Sequence, residues 1–183
     1  MALSTIGTNA VADDAVTATK IADAVALGKV GQVVTDSFTG TESSTSNAAG
    51  DSFTDSSVAA SITPTATSSK IFVSCQINTG ASNYADGSHV GRFTQAISGG
   101  STTVVNVGAT SGNRIEVSSG RGSESQGSNT LLNTHFSFVL SPSTTSAVTV
   151  TYQFAKRGNG SATAYINRTG DDGDNIEQQR AAS

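Results

Sequence analysis

Tryptophan is absent from this 183-residue chain, cysteine and methionine occur once each, and proline and histidine twice each. A single thiol, Cys75, closes no intrachain disulfide, and within strand-like sequence it reads as a small buried hydrophobe. Two imidazoles, His89 and His135, supply no ligand spacing for zinc, and neither has a Ser, Cys or carboxylate partner at motif spacing. Charged residues make up 13% of the chain, about half the usual quarter. The net charge is −4, and the ten Lys and Arg are scattered without a basic stripe or interleaved aromatics, so nucleic acid is not an expected partner. No apolar run approaches the length of a bilayer span, and the first residues carry no basic region ahead of an apolar one. The expectation is a chain made in a cytosol, with no membrane partner.

Ser, Thr, Gly, Ala and Asn fill the space that charge leaves. Solubility then rests on hydroxyls and amides, a composition suited to long-lived β assemblies, in which β-branched residues pack on pleated sheets and Gly serves turns. Residues 1–28 stand apart. Ile6, Val11, Val16 and Ile21 recur at a five-residue step, followed by Val25 and Gly28. Such a step advances about 140° around an α-helix and alternates faces on a strand, so neither template fits. Short capped helical turns within Asp13 to Ala26 and a flexible low-complexity tail both remain open readings. Either way the segment is too weakly apolar to fold alone, and it is expected to order against other chains.

From Val30 the period becomes two. Ile71, Val73, Cys75 and Ile77 alternate with Phe72, Ser74, Gln76 and Asn78; Leu132 to Leu140 and Val148 to Phe154 repeat the pattern. Weaker strands are expected at Gln32 to Phe38, Ser57 to Thr63, Val90 to Ile97, Thr103 to Gly108, Arg114 to Ser118 and Thr163 to Asn167. About nine strands without a long helix predict an all-β sandwich or barrel over 29–183. Both prolines, Pro64 and Pro142, end a strand ahead of a hydroxyl-rich turn, which suggests two related hairpins.

Polar stretches at Thr39 to Asp51, Asn78 to Ser88 and Ser118 to Asn129 read as long loops, where binding surfaces usually sit. Tyr84, among Asn83 and Asp86, is the aromatic read as a surface contact; the other aromatics are expected in the core. His135 falls on the strand face opposite Phe136 and Phe138, and is expected to be solvated or hydrogen-bonded. Asp171, Asp172, Asp174 and Asn175 place oxygens around Gly173 as Ca²⁺ accepts them, but without the spacing of an EF-hand; an acidic turn is the alternative. The same carboxylates lie too close together, without an aromatic sugar cleft, for glycoside hydrolysis. Neither GxSxG nor HExxH occurs and no Gly-rich piece makes a phosphate loop. No enzyme and no cofactor are expected.

The head TIGTNAVADDAVTATKIADAVALGKVGQV resembles the AV-x-x-x-KIA repeats that precede the terminal domain of fibre-like virion proteins of tailed bacteriophages, especially aquatic ones. SITPTATSSKIFV, FVLSPSTTSAVTVTYQF and AYINRTGDDGDN are similar to recurring stretches of that domain. The resemblance implies a homotrimeric virion component on tail or head, in the host cytoplasm until assembly. Only one short stretch of repeats is present, and the chain stops at Gln179 to Ser183, where such domains commonly add a strand. The first departure favours a short appendage or a capsid decoration protein; the second suggests an edge that a neighbouring chain would cover.

The resulting expectation is a trimeric, jelly-roll-like β-sandwich over 29–183 with an anchoring segment at 1–28. Ile6, Val11, Val16, Ile21 and Val25 would dock on capsid, portal or tail proteins. The alternatives are a decoration protein at three-fold positions and a receptor-binding module for a host surface glycan.

Overall fold

A computed structural model describes residues 30–82, 89–109, 111–120, 129–158, 160–174 and 178–183. The chain divides between Val33 and Val34, and the account that follows concerns the unit Val34–Ser183. Its described residues form nine strands and, as their only helical element, a single 3-10 turn at Ala48–Gly50. The strands are β1 (Glu42–Ser44), β2 (Thr54–Ile62), β3 (Ile71–Ala81), β4 (His89–Ile97), β5 (Thr102–Val105), β6 (Ser119–Gly120), β7 (Leu132–Leu140), β8 (Val148–Lys156) and β9 (Ala164–Ile166).

Two antiparallel sheets result. One runs β1-β9-β3-β7 and the other β2-β8-β4-β5, with the two-residue β6 on the start of β4. Their alternating inward residues meet in one core: Ile71 and Ile77 of β3, Phe136 and Leu140 of β7 and Ile166 of β9 against Phe93 of β4 and Val148, Val150, Tyr152 and Phe154 of β8. Burying each such side chain is worth about 1.5–3 kcal/mol, so this seam holds the two sheets together. Phe93 meets Phe136 edge-on at 5.1 Å and Tyr152 at 5.2 Å, a favoured geometry for aromatic pairs. The fold is thus all-β and sandwich-like, as the period-two runs predict.

The pairing is nested. Early strands pair with late ones, β1 with β9, β2 with β8 and β3 with β7, while β4 pairs with β5 near the middle of the chain. Successive rungs of this ribbon alternate between the sheets. The proline corners are what switch them. Buried Pro64 follows β2 and leads to β3 in the opposite sheet, and buried Pro142 carries β7 across to β8. They are therefore crossings between sheets and not the hairpins expected: a residue with fixed φ and no N–H ends a ladder without leaving a donor unpaired.

Three further expectations are corrected. Gln32 to Phe38 is exposed and unpaired as a strand, because its alternation meets no partner; only Phe38 packs on the core. Arg114 to Ser118 is irregular, its Ile115 and Val117 packing on Val90 and Ala155 beside the short β6. Within the expected loop Thr39 to Asp51 lies β1, whose polar ESS sequence carries no apolar period and is recruited by pairing with β9.

Candidate functional site

The docking residues Ile6, Val11, Val16, Ile21 and Val25 and the contact residue Tyr84 lie outside the described residues, as does Asn175. The body itself offers three arrangements with functional content: a polar hub at Asn167, an aromatic cluster at one end, and two contrasting lateral sides.

The hub begins where β9 ends. Asn167 takes φ 60°, a left-handed conformation that asparagine tolerates better than most residues, and it is completely buried. Every polar group it owns is used. Its N–H donates to the Asn78 carbonyl at 2.8 Å, its Nδ2 donates to the carbonyls of Phe38 at 2.8 Å and Gly40 at 3.0 Å, and its Oδ1 accepts from Ser183 Oγ. Its own carbonyl accepts from Ala181 N–H at 3.0 Å. Phe38 and Ser183 also exchange both main-chain hydrogen bonds, at 2.7 and 3.0 Å. The place where the chain enters the body is thereby tied to residues 181–183 through a buried amide. A buried network with every group paired is rigid, because breaking one bond strands a desolvated partner.

Residues 168–174 and 178–183 extend this layer. Arg168 to Gly170 lie against Gly80 and Ala81 of β3, so closely that a Cβ on Gly80 would sit 2.2 Å from the Arg168 carbonyl oxygen. Asp172 is held by Arg180 at 2.8 Å and Arg168 at 3.1 Å. Asp172 is thereby neutralised by two guanidinium groups. Among the described residues no three His, Cys, Asp or Glu side chains gather as a metal site. This layer explains why β3 is buried on both faces from Ile77 to Ala81 but only on its inner face before that.

At the end where β3 stops and β4 starts, His89 stacks on Phe154 at 5.7 Å and on Tyr152 at 6.2 Å, and its Nε2 lies 3.1 Å from the Tyr152 hydroxyl. Gly91 makes room for that ring: a Cβ there would sit 1.8 Å from the hydroxyl oxygen. Burial raises the Tyr152 phenol well above its ordinary range. Its proton therefore stays on, and the pair acts as a structural hydrogen bond. His135, on the outer face of β7, meets Ser74 Oγ at 3.1 Å, in line with the expectation of a hydrogen-bonded surface imidazole. Burial pushes the Cys75 thiol up to about 11, so little thiolate forms near neutral pH.

The lateral sides differ most. On the β1/β2 side, Ser44 Oγ and Ser46 Oγ reach Thr54 Oγ1 at 2.6 and 2.9 Å, and the Glu42 carboxylate accepts from the N–H and hydroxyl of Ser57, at a register shift in β2. Side chains thus stitch one sheet edge to the other. On the β7/β5 side, β7 runs nine residues in unbroken register with β3, and among the described residues nothing pairs its outer edge. Sequence reasoning reached β2, β5 and β7 but neither β1 nor the contrast between the sides, which depends on which strands end up outermost.

No helix among the described residues is long and apolar enough to cross a membrane. Comparison of the chain with models of protein families, with curated proteins and with solved structures finds no match.

Proposed function

We propose that the protein is a structural component of a bacteriophage virion: a trimeric, jelly-roll-like appendage of tail or head whose segment 1–28 docks on the particle while the β body projects. The observation that carries this reading is the nested ribbon, in which β1–β9, β2–β8, β3–β7 and β4–β5 pair in turn and successive rungs alternate between two sheets. Eight strands wound in this way match a jelly roll, an architecture used by viral capsid and lectin domains. The resemblance of the head and of three stretches of the body to fibre-like virion proteins points the same way.

The Asn167 hub suits a tether. A pull on the chain ahead of Phe38 is met by paired main-chain bonds, a buried amide and the packing of the Phe38 side chain on the core. Three copies around an axis would also let the small apolar residues of 1–28 bury against each other, and a closed ring does not run on into filaments.

Quantitative mass spectrometry of purified particles tests this, together with micrographs labelled by an antibody to the chain. The chain is expected in the particle in multiples of three. Copies on the order of hundreds would favour a decoration protein spread over the shell, and on the order of a few dozen a tail or vertex appendage, since copy number follows the symmetry of the seat. Absence from washed particles would overturn the proposal.

A receptor-binding reading has one observation in its favour. The connections 45–53, 82–88, 106–131 and 157–163 all leave from the end of the body carrying His89 and Lys156, whereas the short turns and proline corners sit at the other. Binding of the purified protein to host cells, competed by host polysaccharide, is the result this reading expects; no binding at micromolar protein would remove it.

A further inference from the structure

Sheet edges recruit strands from other molecules unless they are short, bulged, charged or covered. In this body β1 has three residues, β5 has four, and β2 carries a register shift together with Asp55 and the Glu42 contact at Ser57. The edge of β7 has none of these defences: its nine residues are in continuous register and include no Asp, Glu, Lys, Arg, Pro or Gly.

The exposed apolar side chains point to the same place. From Val34 onward, beyond that first residue, the large hydrophobics left exposed among the described residues are Phe72, Val104, Leu132 and Val139. They lie on β3, β5 and β7, and none lies on the strands of the opposite side. Phe72 and Val139 are direct cross-strand partners, 68% and 60% exposed. These three strands carry no Asp, Glu, Lys or Arg at all, in a chain whose net charge is −4.

We propose that the β7/β5 side is the surface through which copies of this chain associate, the β7 edge of one protomer lying beside the β5 edge of the next. The inference rests on the trimeric reading and assigns that trimer its contact. Charge selects the occupant: the three strands carry no ionised group, and Lys70, just before β3, donates to Ser141 beside them, so two copies of an acidic chain meet here without opposing carboxylates from these strands. Geometry selects the closure. A ring of three needs two different surfaces per protomer, and β7 and β5 are different strands that end their two sheets on one side. The β7 edge extends roughly 30 Å and the four-residue β5 roughly 13 Å at the usual rise per residue, so the contact covers part of the β7 edge.

Sedimentation of the full chain over a wide concentration range tests this, comparing wild type with Val139→Lys, Val104→Lys and, on exposed β1 of the opposite side, Ser43→Lys. Wild type and Ser43→Lys are expected to be trimers with one dissociation constant, and the two open-side variants to need roughly thirty-fold or more protein to assemble. Val139→Thr, which keeps the side-chain shape, covers the case in which lysine disturbs folding, and is expected to weaken assembly about ten-fold. Trimers unaffected by the open-side substitutions would overturn the surface and leave the trimeric reading standing. A wild type that remains a single subunit at every concentration would remove the trimeric reading, and the surface with it.

Discussion

The two lateral sides of the sandwich solve one problem in opposite ways. On the β1/β2 side a carboxylate and four hydroxyls bridge the sheets, and the edge strands are short or shifted in register. On the β7/β5 side the longest regular edge strand lies beside four exposed apolar side chains on uncharged strands. A protein that can finish one side with serine, threonine and glutamate has the chemistry to finish the other. The contrast teaches that the described residues finish one side and leave the other open, and the open side is where the proposed second copy would sit.

The comparison can be broken most severely at Asn167, which ties the stretch leading into β1 to residues 181–183. Asn167→Ala removes a side-chain donor from the Phe38 and Gly40 carbonyls and an acceptor from Ser183 Oγ while keeping a strained backbone, and should cost about 3 kcal/mol in chemical denaturation. Hydrogen exchange should quicken first at Phe38 and Ser183. Unchanged protection there would show that the hub does not hold the tether.

Glu42→Ala acts more gently on the same side. It removes acceptors from the Ser57 N–H and hydroxyl at an exposed site, so about 1 kcal/mol is expected, with loosening confined to β1 and the start of β2. Loosening that spread to β7 would contradict the independence of the two sides. Val104→Thr on the open side should change the stability of the isolated protomer by no more than about 0.5 kcal/mol, because the side chain is already exposed. Its effect belongs to assembly, and a large loss of protomer stability would show that Val104 is part of the core.

An alkaline effect comes from Cys75, packed against the core between the two sheets. Below its ordinary value of 9.0 both folded and unfolded thiols hold their proton, and this group contributes no pH dependence. As pH rises from 9.0 toward about 11 the unfolded chain loses a proton that the folded chain keeps, so stability falls across that window. Cys75→Ala should flatten part of the fall in a pH series of denaturation midpoints. An identical slope in both proteins would remove Cys75 as its source. Tyr152, raised by burial as well, supplies the slope that remains at higher pH.

Much of this architecture is legible along the chain. The runs at Ile71, Leu132 and Val148 alternate because each has one face in the common core, and apart from the exposed Leu132 their inward sets are found buried or half-buried. Strand β1 is not legible: Glu42, Ser43 and Ser44 have no apolar residue to alternate, and they become a strand through hydrogen bonds to β9 and Thr54. Gln32 to Phe38 carries the period of a strand, but only Phe38 finds a main-chain partner, in Ser183, and no strand forms among its described residues. Phe72 falls on the outward face of its run, as alternation places it, yet it was counted with the core aromatics because that is where phenylalanine usually lies.

By itself the sequence determined the all-β class, the inward face of the three best strands, the sheet-ending role of the two prolines and the low charge that shapes every surface. These are local properties, set by side-chain alternation, fixed dihedrals and composition. Only the tertiary structure decided that the proline corners cross between sheets, that Asn167 becomes a buried hub, and that β7 and β5 are left outermost on one side. Those outcomes depend on which distant strands pair, and pairing is settled by the shared burial of the core and not by any residue acting alone.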